Sequence, residues 1–335
     1  MDPLTQGIVG TTASQAYSKK NNIVIAGIIG FLAGLAPDID IFFRSDIDPL
    51  LFLEYHRQFT HSLIFIPIGS FICAVVFYYV FAKKNDLSFR DTYIFSFIGY
   101  ATHGIIDSFT TYGTQLFWPF TNQRLAWNTI SVIDPLFTLP VIFLCFLTFI
   151  KKNKMFTFYA IAWMIIYQTV GLSQKSRAED IIYNYALELG HEVNKIEAKP
   201  SFANIIVWKV IYSDNEYYYV NAIRLGWMHK IFKGDKISKL NIKRDFEWLD
   251  INSQQARDLE RFRWFSNDYL AKDINNNIVY DIRFSAIPNE VEGLWGIRLD
   301  KDKHSGEHIE YVTNRKKNAG RYPELIRMII DYDSY

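Results

Sequence analysis

The chain has 335 residues, enough for two domains of ordinary size, and its formal net charge of +1 excludes a global electrostatic case for nucleic acid. Its two cysteines, Cys73 and Cys145, both lie inside apolar segments, so no disulfide framework is implied. Aromatic residues make up 17% of the chain, and many stand near the ends of apolar runs, where amphipathic rings favour a membrane interface.

Met1–Gln6 carries an acid and no basic cluster, unlike a cleavable secretory signal. Thr5–Ser18 follows as a candidate helix, with Gly7, Gly10, Ala13 and Ala16 on a three-residue spacing. Apolar runs come next at Ile23–Ala36, Ser62–Ala82, Thr92–Phe109, Ser131–Ile150 and Met155–Leu172. A helix crossing the hydrocarbon core needs roughly 20 residues. The last four approach that length. The first is short and glycine-rich (Gly27, Gly30, Gly34), which suits close helix packing. The expected fold of residues 1–172 is therefore an all-α membrane bundle of about five to six helices.

The loops alternate in character. Lys19-Lys20, Lys83-Lys84 with Arg90, and Lys151-Lys152 with Lys154 separate alternate pairs of segments and are expected to be cytoplasmic. The intervening loops are expected to face outward. The first of these is rich in acids: Asp38, Asp40, Asp46, Asp48 and Glu54. Counting five spans after Lys20 places everything beyond about residue 173 outward as well.

From Ser173 charged residues become frequent and the long apolar runs stop, so residues 173–335 read as a separate polar domain. Arg177–Gly190 and Ala256–Phe265 read as helices. Ile205–Tyr212 and Tyr217–Leu225 read as a hairpin around Ser213–Glu216. Ile278–Phe284, Gly293–Leu299 and His308–Thr313 read as further strands, with turns at Asn275–Asn277 and Lys303–Gly306. A small α+β domain with a mainly antiparallel sheet is expected.

The chemistry-bearing residues of the membrane part gather at one end of its predicted helices. His103 and Asp107 are spaced i, i+4, which puts both on one helix face. His56 and His61 flank a helix start, and Arg57 between them can pair with a carboxylate or an anionic phosphate oxygen. Pro37 resists helix continuation and presents Asp38 and Asp40 just beyond the first run. Asp134-Pro135 reads as a helix cap at least as readily as a ligand. Ionisable groups at membrane helices are costly and are functional hypotheses by default. Helix bundles build metal sites from inward side chains in this way. A His/Asp set without thiolates favours zinc, with manganese as the second choice, over calcium. Each motif also has a plain alternative: an aspartate orienting a histidine, an interfacial His/Arg anchor, or an ordinary loop D-x-D. His304 and His308 in the polar domain form a weaker pair, more typical of plain surface. There is no Gly-rich phosphate loop.

Taken together, Met1–Gln6, Pro37–Asp40, His56-Arg57 with Thr60-His61-Ser62, His103 with Asp107, Tyr112–Phe120 and Asp134-Pro135-Leu136 resemble the YdjM-like family of bacterial inner-membrane proteins, also called membrane-bound metal-dependent hydrolases. The resemblance covers about residues 1–172 with ordered motifs, and loosely the polar domain through Pro200–Val210. It implies metal-dependent hydrolysis in the inner membrane, with His56, His61, His103, Asp107 and Asp38 or Asp40 as ligands. It also suggests a distant likeness to zinc-dependent phospholipase C and P1-type nucleases. Many relatives have histidine where this chain has Gln6, a much poorer ligand.

The resulting expectation is a membrane-embedded hydrolase acting on a phosphoester of a lipid or lipid-linked substrate at the outer interface. Asp38, Asp40 and Arg57 are the expected catalytic groups. The rival is a non-catalytic envelope protein with a structural metal and a partner-binding polar domain. A transporter ranks last, because transporters place ionisable residues nearer the bilayer midplane.

Overall fold

The computed structural model describes residues 1–273, 276–318 and 320–330. It divides into two compact units. One comprises residues 1–42, 55–173 and 202–205; the other comprises 43–54, 174–201 and 206–335.

The first unit is helical. Numbered in chain order, α1 spans Pro3–Tyr17, α2 Ile23–Leu35, α4 Ile66–Phe77, α5 Phe89–Ser108 and α6 Pro135–Lys151; α3 (Leu51–Tyr55) belongs to the second unit but for its last residue, and α7 (Met155–Glu188) belongs to the first unit up to Ser173 and to the second from Gln174. Side-chain caps set three of the starts. Asp2 accepts from the Thr5 N–H, Ser88 from Asp91 and Asp134 from Phe137. Among the described residues, three helical stretches are long and apolar enough to cross a membrane: Lys20–Phe42, Leu63–Asn85 and Met155–Glu188. The shorter α6 is also apolar. Large side chains such as Phe71 and Ile72 on α4 and Phe143 and Phe146 on α6 are exposed, whereas Ser70, Ser96 and Thr148 are buried. An apolar exterior around polar small residues is the pattern expected of helices bathed in lipid.

Close backbone approach organises the bundle. A Cβ added at Gly10 of α1 would lie 2.3 Å from the Gly30 carbonyl of α2. Thr11 Oγ1 donates to Gly27 O, and Ser14 Oγ to Phe95 O on α5. The contact face is thus Gly7, Gly10, Thr11 and Ser14, which follows the helix period. Ala13 and Ala16, expected on this stripe, are only half-buried.

The lysine loops share one end of the unit. Lys154 Nζ donates to Ser18 O beside Lys19 and Lys20, and Ala82 and Leu87 around Lys83-Lys84 pack with Ala26 near the start of α2. The C-terminal ends of α2 and α5 and the segment before α4 lie at the other end, where the acids and histidines meet.

α7 departs from expectation by running unbroken to Glu188, merging the last apolar run with the amphipathic segment after it. Gln174–Arg177 holds no proline or glycine to stop it.

The second unit is α+β. Its first sheet has the order β1 (Lys195–Pro200), β2 (Val207–Ser213), β3 (Tyr217–Leu225), β4 (His229–Phe232), with β5 (Lys236–Ser238) also on β3. Its second has the order β6 (Leu270–Lys272), β7 (Ile278–Asp281), β8 (Trp295–Arg298), β9 (Glu310–Thr313). All pairings are antiparallel. The expected β2–β3 hairpin is present, with Tyr212 opposite Tyr219. Asn275 of the expected Asn275–Asn277 turn lies outside the described residues. The helices are α8 (Ile242–Asp245), α9 (Gln254–Phe265), α10 (Arg315–Asn318) and α11 (Tyr322–Ile330). A buried cluster of Ile211, Tyr218, Val220, Tyr269, Ala271 and Ile282 draws on β2, β3 and the strands beyond α9.

Candidate metal centre

Three helix ends supply the centre. After α2 the chain tightens into a 3-10 turn over Ala36–Phe42, started by Pro37. With about three residues per turn, side chains two apart diverge. Asp38 and Asp40 accordingly face different atoms. His61 sits in a separate 3-10 turn, Phe59–His61, ahead of α4 rather than at its first residue as the sequence suggests. Ser62 between them is extended, so the helix starts only beyond a second short turn. His103 and Asp107 share one face of α5, as their spacing requires.

These residues aim four ligand atoms at one point. His61 Nε2 lies 2.9 Å from His103 Nε2, 3.5 Å from Asp38 Oδ1 and 3.5 Å from Asp107 Oδ2. His103 Nε2 lies 3.4 Å from Asp38 Oδ1 and 3.8 Å from Asp107 Oδ2. A tetrahedral ion with bonds of about 2.0–2.1 Å separates its ligands by about 3.3 Å, close to these values. His61, His103 and Asp107 are buried, and the Asp38 side chain is 23% exposed.

The groups behind the ligands fix which atoms face inward. His103 Nδ1 is 2.5 Å from the Gly34 carbonyl, which can only accept, so Nδ1 carries the proton. His61 Nδ1 faces Asp40 Oδ2 at 3.1 Å and Thr60 Oγ1 at 3.0 Å. Thr60 donates its own hydroxyl to Asp40 Oδ2, leaving both as acceptors for His61 Nδ1–H. Neutral rings protonated at Nδ1 would bring two nitrogen lone pairs and two carboxylate oxygens together with no proton donor among them. Asp107 Oδ2 is fully buried and makes an ion pair with Arg57 Nε at 3.0 Å, outside hydrogen-bond geometry. That donor set fits a divalent cation, and outer acceptors behind metal-binding imidazoles are a recurrent support.

The remaining predicted residues surround this cradle. Asp40 is buried and holds His56 Nδ1 at 2.7 Å, the Arg57 backbone N–H and Thr60. His56 stays outside the four-atom cradle. With Asp38 and Asp40 it forms an adjoining group whose ligand atoms lie within 4.8 Å of one another. Arg57 is buried with a left-handed φ of 65°, a conformation that costs energy outside glycine. Its Nε is 3.0 Å from Asp107 Oδ2, Nη1 donates to Thr110 Oγ1, and the guanidinium lies 5.0 Å from the Tyr112 ring centroid.

Gln6 donates from Nε2 to Asp107 Oδ1 at 2.7 Å, and the Met1 amino group contacts the same oxygen. The Gln6 amide therefore orients a ligand instead of serving as one. The Gly34 carbonyl was not singled out from sequence, and Thr60 entered only as part of the Thr60-His61-Ser62 motif, without a role. A backbone carbonyl leaves no signature there, whereas a hydroxyl next to His61 is a visible signal for the support that Thr60 gives. Asp134 is a helix cap whose Oδ1 also accepts from Tyr167, apart from the centre.

In the second unit His308 Nδ1 is 2.8 Å from Asp258, while His304 lies in an exposed turn. Asp48 and Asp258 are bridged by Arg261 at 3.0 and 2.9 Å, so a cation already occupies that acidic group.

No solved structure matches the chain. The uncharacterized protein YfhP of Bacillus subtilis (strain 168) is 27% identical over 128 residues, which is 38% of this chain and 36% of that relative. The matched stretch thus spans about a third of the relative's length. The family model described as YdjM inner membrane protein matches residues 1–178, and the chain belongs to that family.

Proposed function

We propose that this inner-membrane protein is a metal-dependent hydrolase acting on a phosphoester of a lipid or lipid-linked substrate. The observation that carries the reading is the convergence of His61 Nε2, His103 Nε2, Asp38 Oδ1 and Asp107 Oδ2 beside the buried Arg57. A divalent ion held there, zinc before manganese, supplies Lewis acidity toward a phosphoryl oxygen and lowers the pKa of a water.

The chain's own residues do the rest. Asp40 fixes the His61 ring, and Gly34 O fixes His103. Arg57 offers a guanidinium to an anionic oxygen, and Tyr112 and Thr110 hold it in place. Asp38 is the one partly exposed residue of the four, which makes it the carboxylate best suited to meet a substrate and take a proton from a water. Ile39 and, just past His61, Leu63 and Ile64 are exposed apolar neighbours that suit an acyl or prenyl chain.

One feature favours the rival reading of a structural metal in a non-catalytic envelope protein. Structural zinc sites use four protein ligands, whereas catalytic sites keep a position open. Four are available here, so hydrolysis requires Asp38 to yield its place or the ion to gain a fifth ligand. The deciding experiment screens lipid phosphoesters with metal-loaded wild type and D38N. Turnover that D38N loses while keeping its metal supports the hydrolase; tight metal without turnover in either supports the rival.

The polar domain is read as extracytoplasmic, from the lysine loops at one end of the bundle and a count of five crossings that includes α5 and α6. A reporter fused after Tyr335 that scores as cytoplasmic overturns this direction.

A further inference from the structure

The loop between α5 and α6 is fixed by its backbone yet carries bare aromatic rings. Thr114 and Leu125 exchange N–H···O bonds of 2.9 and 2.8 Å, which closes the loop into an arch. At its base the Trp127 N–H donates to Ser108 O at the end of α5, and the Gln115 N–H donates to Arg57 O beside the metal centre. At its crown the Phe120 N–H donates to Phe117 O, a tight turn that leaves Phe117 47% and Phe120 81% exposed. Two phenyl rings shown together on an ordered turn mark a contact surface.

Two observations within the same helical unit say what covers them. First, the Leu63 N–H donates to Leu116 O at 2.9 Å, so the crown begins level with the first residue of the apolar stretch Leu63–Asn85. Lys83 stands 20 residues after Leu63. At about 1.5 Å per residue this is about 30 Å, the thickness of a hydrocarbon core. With Lys83 and Lys84 in one interface, Leu63 falls at the opposite one. Second, the exposed surface is continuous. Leu63, Ile64, Ile68 and Phe71 are exposed along that stretch, starting from the residue bonded to Leu116. Trp118, next to Phe117, packs on Phe59 at 6.3 Å between ring centroids, and Phe59 packs on Phe65 at 5.3 Å. Aliphatic side chains along the span with aromatic rings at its end are the order of a lipid-facing surface that passes into the headgroup layer.

We infer that the Tyr112–Trp127 loop is a lip seated in the interface of the bilayer that its own helical unit spans, and that it fixes the metal centre at headgroup depth through Gln115 and Leu116. Its partner is lipid. The inference depends neither on a bound metal nor on the hydrolase reading.

The test uses the full-length protein in phospholipid vesicles, with a nitroxide attached at F120C. Cys73 and Cys145 are buried, and the unsubstituted protein gives their background labelling. K84C, at an exposed lysine, is the aqueous reference, and I72C, exposed on α4, is the hydrocarbon reference. Circular dichroism first shows the same fold in all three. Power saturation then compares collisions with oxygen, which concentrates in lipid, and with a water-soluble nickel chelate. The oxygen-to-chelate ratio at F120C is expected to exceed that at K84C by about threefold or more and to stay below that at I72C. A ratio equal to that of either reference overturns the inference, because the crown then lies in water or in the hydrocarbon core. Few collisions with both reagents overturn it too, because the position is then covered by protein.

Discussion

His61 and His103 bring their Nε2 atoms to 2.9 Å while their Nδ1 atoms are held from behind, one by Asp40 and one by the Gly34 carbonyl. Two rings locked in this way have little freedom except to share a cation with Asp38 and Asp107. Protein purified without chelator should carry near-stoichiometric transition metal. H61A and H103A should each fall below about a tenth of that content by elemental analysis, because each removes a ligand from a four-ligand set. A wild type that carries no metal and takes none up on reconstitution would sink the centre altogether.

Asp40 makes a separate case, because it supports a ligand. D40N keeps an acceptor near His61 Nδ1 but removes the charge that favours it. Metal affinity should drop about 10–100-fold while the site still fills at high metal concentration. If D40N instead halves the metal stoichiometry at saturation, Asp40 is a ligand of a second ion with Asp38 and His56.

Gly104 links backbone packing to the same centre. A Cβ there would lie 2.2 Å from the His61 carbonyl, so the turn carrying His61 can approach α5 only over a glycine. G104A should cost about 1–3 kcal/mol through overpacking and should also weaken metal retention against a chelator, although Gly104 bears no ligand. Unchanged retention would show that the His61 turn is not positioned by this contact.

These relationships differ in how legible they are in the sequence. His103 and Asp107 were readable as a pair because a helix fixes its own period. The distinction between Asp38 as a ligand and Asp40 as a support was not, because it depends on a 3-10 turn that aims neighbouring carboxylates apart. His56 and His61 looked equivalent in sequence; in the structure His61 enters the cradle and His56 binds Asp40, with the left-handed Arg57 between them. In the polar domain the hydrophobic alternation marks β2 and β3. The β1 segment Lys195–Pro200 has charges and a terminal proline and pairs only as an outer strand, so its sequence gives little sign of it.

Arg57 is expected to act on the substrate anion and not on the metal. R57A should retain its metal but lose about 10²–10³-fold in phosphoester turnover, the usual effect of deleting one donor to a developing negative charge. R57K should recover little, since an ammonium lacks the planar fork that meets Thr110 and Asp107 together. Loss of metal in R57A would instead make the guanidinium a structural partner of Asp107.

Lys209 yields a prediction for the polar domain by itself. Its ammonium is buried on β2 and donates to Ser285 Oγ at 2.8 Å and Glu290 O at 2.7 Å. Burial pushes its pKa down to about 7; the charges of Asp281 and Glu290 oppose that shift and Lys199 adds to it. In the unfolded chain a lysine keeps its proton to about pH 10. Between about pH 7 and pH 10 the unfolded state therefore binds more protons, and folding stability contributed by this group rises with pH, by at most about 1.4 kcal/mol per unit. Below that window both states are protonated and the contribution is flat. Wild type should gain about 2 kcal/mol relative to K209M between pH 7 and pH 9, read as the change in their difference in urea unfolding of the polar domain. The comparison with K209M cancels the carboxylates and histidines that titrate in both proteins. Parallel curves for the two would mean that Lys209 keeps its charge throughout, with Glu290 and Asp281 compensating its burial in full.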